Sequence, residues 1–240
     1  MAAITLYDLA GLDDAWRISP FCWRVRMALA HKGLQVETVP WRMVEKEVIR
    51  RSNCTTVPVI VDGNQMIGES WSIAEYLDAT YPDRPLFDSV QAKAYCRWIQ
   101  HWTDRTLHQL IVPLILEDVL AVLHPKDREY FRQSREAAYR KPLENVFDTS
   151  PEAYGRLAHA LSPARRLLRE SQFVAGEAPA YGDYVLFGMF QWARSCSDAQ
   201  LLKDDQDPMV DWFERMLELF GGLGRRAARP ASFPLRSESW

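Results

Sequence analysis

The sequence predicts an α/β domain followed by an all-α domain. Residues 3 to 80 alternate between β-branched or aromatic segments and segments with helical apolar spacing, in the order βαβ and then ββα. After the turn PDRPLFD, the patterned segments all have helical spacing. We therefore place the first domain at residues 1–82 and the second at 89–240. A chain of 240 residues, 48% of them hydrophobic, is long enough to give both domains a core.

The first domain begins with a strand, a helix and a second strand. AITLYDL has the alternation of a strand, and VETVPW is the second such segment. Between them, four apolar residues lie at the spacing of one helix face: Phe21, Val25, Ala28 and Leu29. Gly33 follows them, where a left-handed residue commonly ends a helix.

A hairpin and another helix complete this domain. VPVIVDG and QMIGES are predicted strands that turn at Asp62-Gly63-Asn64. The charged stretch before them, up to Asn53, is predicted to be irregular. The following helix begins at Ser70 or Trp71 and buries an apolar face of Ile73, Ala74, Leu77 and Tyr81.

The second domain is predicted from helical patterns alone. Residues 89–123 favour a long helix that kinks or breaks at Pro113, because proline lacks a backbone donor. The polar segment 124–169 is expected to hold one or two surface helices. Tyr184 to Ala193 is apolar nearly all round, which is typical of a buried helix. Asp207-Pro208 opens a last helix, and the basic tail 225–240 has no clear periodicity.

Composition argues against several classes of function. A net charge of −3 offers no attraction to nucleic acid or to an anionic membrane. No apolar run approaches the ~20 residues of a membrane-spanning helix, and the first residues lack a secretory pattern. The four scattered cysteines contain no CxxC pair and the five histidines are dispersed, so we expect free thiols, no metal site and a cytoplasmic protein.

Ser19 and Pro20 open the first helix, and Ser19 allows two interpretations. Serine is a preferred N-cap, and proline at the next position loses nothing by lacking an N–H. The same hydroxyl also lies at the positive end of the helix dipole, where it is suited to hold a thiolate. The local sequence leaves both interpretations open.

Several motifs together resemble the cytosolic glutathione transferases across the whole chain. They are Ser19-Pro20-x-x-Trp23-Arg24-Val25-Arg26 in the first turn, Val57-Pro58 opening a strand and Glu69-Ser70 opening a helix. WRVRMAL is similar to the zeta class of that superfamily. ISPFCWR with ALAHKG, DREYFRQSRE and DWFERMLELFGGLGR are more similar to the bacterial lignin β-etherases, which are serine-type enzymes.

The resemblance implies that the first domain is thioredoxin-like and binds glutathione as co-substrate. Ser19 would be the catalytic residue that donates a hydrogen bond to the glutathione thiolate. Lowering a thiol pKa from about 8.5 by ~2 units requires roughly 2.7 kcal/mol of preferential stabilisation. One charge-assisted hydrogen bond of ~1.5–3 kcal/mol together with the helix dipole suffices for this.

The other motifs would hold the rest of the tripeptide. A cis Val57-Pro58 bond would present the main chain of Val57 to the cysteinyl residue, as an added strand does. Glu69 and Ser70 would receive the ammonium and carboxylate of the γ-glutamyl residue. Phe21 and Arg42 complete the predicted glutathione site, with Arg42 and Lys46 as candidates for the glycyl carboxylate.

The second substrate is expected in a pocket between the domains. Aromatic residues on the long helix and on the buried helix are its predicted lining: Trp98, Trp102, Phe187 and Phe190. The partner would be a hydrophobic, aromatic electrophile. For a β-etherase it would be a β-aryl ether ketone from which the thiolate displaces a phenolate. The family also implies a homodimer.

Two other functions stay open. One is a non-catalytic protein of the same fold that binds apolar ligands or partners. The other is a thiol-disulfide oxidoreductase that uses Cys22, which lies where thioredoxins have their resolving cysteine, although Ser19 stands in place of the attacking one. One departure from the family concerns stability, because Ala180 occupies the helix cap three residues before Asp183.

Overall fold

The computed structural model describes residues 3–202 and 206–231, and these form a sheet domain and a helical domain. The predicted fold class is therefore confirmed. Residues 232–240 of the basic tail lie outside the described residues. No described helix combines the length and the apolar character needed to cross a bilayer.

The sheet domain has the predicted order of elements. Its strands are β1 (Ile4–Leu9), β2 (Val36–Trp41), β3 (Val59–Asp62) and β4 (Gln65–Gly68), and its helices are α1 (Pro20–Lys32) and α2 (Ser70–Thr80). The strand order is β2-β1-β3-β4, with β2 parallel to β1 and the hairpin β3-β4 antiparallel to it. The stretch predicted to be irregular contains a 3₁₀ helix, Lys46–Ser52.

The ends of α1 follow the predicted cap chemistry. Ser19 is the N-cap, and Pro20 is the first helical residue. Gly33 ends the helix with a φ of 68°, a left-handed conformation that glycine adopts without steric cost. The cap residues therefore determine where the helix begins, and that end of α1 is where the cavity described below opens.

The helical domain contains α3 (Val90–Trp102), α4 (His108–Val122), α5 (Pro125–Tyr139), α6 (Pro151–Ala160), α7 (Ser162–Leu167), α8 (Tyr181–Cys196) and α9 (Pro208–Gly222). Of the predicted kink or break at Pro113, a break is wrong, because this proline lies inside α4. The departure from α-helical hydrogen bonding is a π-helical segment at Thr103–Leu107, between α3 and α4. The polar segment 124–169 holds three helices rather than one or two.

Helix α8 is the buried helix that the sequence predicts, and it packs directly against α1. Arg194 is its only residue that is not buried. At Gly188, a Cβ atom would lie 2.3 Å from the carbonyl oxygen of Pro20. Glycine therefore allows the backbones of α8 and α1 to approach more closely than any larger residue would permit.

Asp183 compensates in part for the missing cap side chain at Ala180. Its buried carboxylate accepts hydrogen bonds from the main-chain N–H groups of Val174, Ala175 and Ala180 and from the indole of Trp212. Burial raises the pKa of Asp183 to about 6, and these donors oppose the rise by favouring the ionised form. One carboxylate therefore connects the start of α8 to the preceding loop and to α9.

Substituting Gly188→Ala should lower the free energy of unfolding by about 2 kcal/mol or more, because the new methyl group meets a rigid main-chain carbonyl. Gly155→Ala is the matched control, since Gly155 lies in α6 and a Cβ there meets nothing within 4 Å. That control should gain roughly 0.5–1 kcal/mol from helix propensity. Urea denaturation measures both values, and equal stabilisation by the two substitutions would contradict the close contact.

Candidate active site

Ser19 lies in a cavity of about 210 Å³ between the sheet domain and the helical domain. From the sheet domain, the lining comes from Leu9, Ile18, Ser19, Pro20, Phe21, Trp41, Met43, Thr55, Thr56 and Val57. From the helical domain, it comes from His108, Val119, Leu123, Tyr130, Phe131, Ser134, Arg135 and Trp192. The cavity is thus mainly apolar, with a few polar groups, as ligand-binding clefts commonly are.

The geometry of Ser19 confirms that it is a helix cap, and it places the residue at the cavity. The residue is 4% exposed, and its Oγ accepts a hydrogen bond from the main-chain N–H of Cys22 at 3.2 Å. A hydroxyl that accepts one hydrogen bond still has its own hydrogen to donate. Ser19 is therefore a helix cap whose hydroxyl lies at the cavity, next to the first turn of α1.

An aromatic group on the helical side faces this turn. The imidazole of His108 stacks on Trp192, with ring centroids 5.4 Å apart, and lies 6.1 Å from the ring of Phe21. Burial, and then the nearby Arg135, lower the pKa of His108 to about 4. His108 is therefore neutral at neutral pH and adds no positive charge beside Ser19.

The Val57-Pro58 peptide bond is cis, as predicted, and Val57 lines the cavity. Within the described part of the chain, the N–H and C=O of Val57 make no main-chain hydrogen bond. An extended peptide placed beside Val57 would therefore find an unpaired donor and acceptor.

Glu69 and Ser70 lie near Val57 along the hairpin but outside the lining of the Ser19 cavity. Val59 pairs with Gly68, so the start of α2 falls at the same end of the sheet as the cis bond. Glu69 has a φ of 68°, an uncommon conformation for a residue with a side chain, and it is exposed. Ser70 is buried, and its carbonyl accepts a hydrogen bond from the Tyr181 hydroxyl at 2.7 Å.

Arg42 and Lys46 lie near the cavity without lining it. Arg42 pairs with Asp14, and its Nη1 is buried without a partner among the described residues. Lys46 donates from Nζ to the Tyr130 hydroxyl at 2.9 Å, which connects the 3₁₀ segment to α5. Arg42 therefore keeps a free donor, whereas the ammonium group of Lys46 is already engaged.

The four predicted acceptor-pocket residues, Trp98, Trp102, Phe187 and Phe190, all lie outside the lining of the cavity at Ser19. Phe187 and Phe190 are 0% and 3% exposed, and both contact Phe213 of α9 in the core. Trp98 is 56% exposed and stacks on Trp102 along α3, beside a separate apolar cavity. Helical spacing identified these aromatic stripes correctly, but it does not show which helix face meets the sheet domain.

The helical-domain residues that line the cavity at Ser19 come from α4, α5 and α8, and the sequence patterns did not predict them. Tyr130, Phe131, Ser134 and Arg135 all belong to DREYFRQSRE, one of the stretches on which the etherase resemblance depends. That stretch was therefore a usable signal for the pocket. His108 and Trp192 carry no such local signal, because only the tertiary packing of α4 and α8 brings them to Ser19.

Cys22 lies beneath the cavity rather than in it. Its side chain is fully buried, and the Ser19 hydroxyl is within hydrogen-bond reach of its thiol. Burial, followed by the nearby carboxylate of Asp8, raises the pKa of Cys22 well above that of an ordinary thiol. A buried thiol kept protonated is a poor nucleophile, which disfavours the oxidoreductase hypothesis.

The fold and the site together define a thioredoxin-like protein whose cavity joins a serine-capped helix to a helical domain. A family model of the glutathione S-transferase N-terminal domain matches residues 15–85, and one of the C-terminal domain matches residues 94–219. The chain therefore belongs to the glutathione S-transferase family. The additional similarity to β-etherases stays a prediction.

Individual relatives match over shorter stretches. Glutathione S-transferase-like protein ustS of Aspergillus flavus is 26% identical over 157 residues, 58% of this chain and 54% of that protein. Glutathione S-transferase Z1 of Arabidopsis thaliana is 40% identical over 80 residues, 31% of this chain and 36% of that protein. The chain thus spans about half the length, or less, of these curated relatives.

Solved structures show the same fold over nearly the whole chain. A glutathione S-transferase of Ceriporiopsis subvermispora in complex with glutathione has a TM-score of 0.81 at 22% identity, covering 96% of this chain and 100% of that one. Glutathione transferase GSTFuA3 from Phanerochaete chrysosporium has a TM-score of 0.80 at 22% identity, covering 90% of this chain and 96% of that one.

Alkylation of the native protein with iodoacetamide at neutral pH should modify Cys54 at least roughly tenfold faster than Cys22, since only exposed thiols with accessible thiolates react readily. Cys54 is partly exposed, whereas Cys22, Cys96 and Cys196 are buried. Peptide mass spectrometry over a time course gives the rates, and the urea-unfolded protein is the control in which all four thiols should react similarly. Preferential labelling of Cys22 in the native protein would restore the oxidoreductase hypothesis.

Proposed function

We propose that the protein is an active glutathione transferase in which Ser19 stabilises the glutathione thiolate for attack on a hydrophobic, aromatic electrophile. The observation that carries the proposal is the place of the Ser19 hydroxyl. It caps α1, lies in an apolar interdomain cavity and shares that cavity with the unpaired main chain of Val57. A helix N-terminus and a hydroxyl donor both favour an anion at this point.

The residues present fit the tripeptide. Val57 offers its N–H and C=O to the cysteinyl residue, and this places the thiol in the cavity near Ser19. The start of α2, with Glu69 and Ser70, takes the γ-glutamyl end. Arg42, whose Nη1 has no partner among the described residues, takes the glycyl carboxylate. Phe21 contributes an apolar side chain to the cavity.

In the reaction, Ser19 donates a hydrogen bond to the sulfur, so that the thiol loses its proton to solvent more readily than in free glutathione. The thiolate attacks an electrophilic carbon of the second substrate, a carbon–sulfur bond forms, and the leaving group departs with its electron pair. Ser19 itself forms no covalent bond. The apolar side chains of the cavity strengthen the hydrogen bond by excluding water.

We further propose a β-aryl ether ketone as the second substrate, supported by the similarity of ISPFCWR, DREYFRQSRE and DWFERMLELFGGLGR to β-etherase sequences. The thiolate would attack the carbon that bears the ether oxygen, and the phenolate would leave with the electrons of the carbon–oxygen bond. A homodimer in the cytoplasm, with its four cysteines unpaired, completes the proposal.

Replacing Ser19→Ala should raise the thiol pKa of bound glutathione by about 1–2 units, because the donor to the sulfur is lost. At neutral pH this should slow thiol conjugation about 10- to 100-fold while much of the glutathione affinity persists, since the other contacts remain. Difference absorbance of the thiolate across a pH series gives the pKa, and retention on immobilised glutathione reports the affinity.

Ser150→Ala is the matched control for that experiment. Ser150 also precedes a proline, caps α6 and accepts from the N–H of Ala153 at 3.2 Å, the same distance as in the Ser19 cap. Both substitutions therefore lose a cap worth about 1 kcal/mol, but only Ser19→Ala should change the thiol pKa. If the wild type binds glutathione but does not conjugate it, the protein is a non-catalytic ligand-binding protein instead.

Incubation of the wild type with glutathione and a β-aryl ether ketone should release the phenol and form the glutathione thioether in equal amounts. Chromatography quantifies both products, and omission of glutathione is the control that should abolish release. If the protein conjugates a chloronitrobenzene but does not cleave the ether, the proposed transferase function stands and the proposed etherase specificity is contradicted.

A further inference from the structure

We propose that the second substrate carries a permanently anionic group, such as a carboxylate, and that Arg135 binds it. The inference rests on the proposed transferase function, because it concerns the occupant of the same cavity. Arg135 is a specificity residue in this proposal and takes no part in activating glutathione.

Charge within the cavity is the first argument. Among the described residues that line it, Arg135 is the only one that is charged at neutral pH. Burial and Arg135 lower the pKa of His108 to about 4, so the imidazole supplies no second cation. The chain as a whole has a net charge of −3, yet this cavity contains a positive group and no carboxylate. An apolar cavity with a single cation is suited to an anion on an apolar body.

The second argument is that Arg135 forms no ion pair with an acidic residue of the described chain. Among the described residues, no carboxylate lies within ion-pair distance of its guanidinium. The acidic residues of α5 are engaged elsewhere: Glu136 with Arg132, Glu129 with Gln133 and Asp127 with the N–H of Val44. A partly buried guanidinium without an acid gains more from a ligand anion than an already paired one does.

The packing of Arg135 is the third argument. Its guanidinium lies over the ring of Phe131, one turn earlier on α5, with the central carbon 5.0 Å from the ring centroid. Stacking on an aromatic face fixes the plane of a guanidinium and leaves its N–H edges available for hydrogen bonds. Ser134, beside it on the same helix, donates its hydroxyl hydrogen to the main-chain carbonyl of Phe131 at 2.9 Å. A carboxylate at this site would therefore be held by the guanidinium of Arg135.

Glutathione also has carboxylates, so its own binding must be separated from that of the acceptor. We assign its carboxylates to the start of α2 and to Arg42, none of which lines the cavity. Substitution of Arg135 should consequently leave the KM for glutathione nearly unchanged. A KM for glutathione that rises with the loss of Arg135 would overturn the assignment to the acceptor.

The test compares two electrophiles that share the reacting ring and differ in one substituent: a chloronitrobenzoate, with chlorine ortho to the nitro group, and its methyl ester. In both, the thiolate attacks the carbon bearing chlorine and chloride leaves. Relative to the uncatalysed reactions with glutathione, the wild type should prefer the carboxylate. Arg135→Met should lower kcat/KM for the carboxylate about 10- to 100-fold and for the ester less than about threefold. Arg135→Lys, which keeps the charge and loses the planar fork, should recover part of the difference.

Arg132→Met is the matched control, because Arg132 lies on the same helix but pairs with Glu136 and Glu144 outside the cavity. It should leave the ratio of the two kcat/KM values unchanged. The proposal would be overturned if Arg135→Met lowered kcat/KM equally for both electrophiles, or if its preference for the carboxylate over the ester equalled that of the wild type.

A binding measurement distinguishes failure of this proposal from failure of the transferase function. Calorimetry of the glutathione-loaded wild type and of Arg135→Met should show tighter binding of a nitrobenzoate than of its methyl ester in the wild type only. If that difference is present but neither electrophile reacts, the anion site stands and the transferase function fails. If the difference is absent in the wild type, the anion site is wrong whatever the rate of conjugation.

Discussion

The contact between Gly188 and the carbonyl of Pro20 is the constraint on which the site depends. A Cβ at position 188 would lie 2.3 Å from that oxygen, so the two backbones are as close as packing allows. Trp192 follows one helical turn later, on the same face of α8, and lines the cavity beside Ser19. The absence of a side chain at one position thus sets the distance between the serine-capped turn and the helical domain.

A partly buried ion pair joins α1 to the π-helical segment of the helical domain. Arg24 is fully buried in α1 and donates two hydrogen bonds to Asp104, at 2.5 and 3.3 Å. Asp104 belongs to the π-helical segment that leads into His108 at the start of α4. Because Arg24 is fully buried, loss of Asp104 would leave the guanidinium charge without this partner and would destabilise the protein. Pro113 does not break α4, and the irregular segment before it places His108 at the cavity.

The sequence predicts those features whose causes are local. The N-cap at Ser19, the left-handed Gly33 and the apolar run of α8 each follow from adjacent residues, and each is present. The cis bond before Pro58, which the family resemblance implied, is also present. The lining of the cavity at Ser19 does not follow in this way. Trp98 and His108 both lie on helical stripes, and only the π-helical segment and the close packing of α8 decide that His108 faces Ser19. Single-helix periodicity contains no information about that choice.

The residues at the start of α1 also bear on whether this site suits thiol transfer or disulfide exchange. Ser19 cannot form a disulfide, but its hydroxyl can donate to a sulfur, and the helix dipole favours the same charge state. Cys22 is near enough to share hydrogen bonds with Ser19, yet burial and Asp8 keep its thiol protonated. The thiol of this chain that lies next to Ser19 is therefore a poor nucleophile. Residues of α4, α5 and α8 complete the lining of the cavity at Ser19, so the residues that cap α1 and those that shape the rest of the cavity can vary independently.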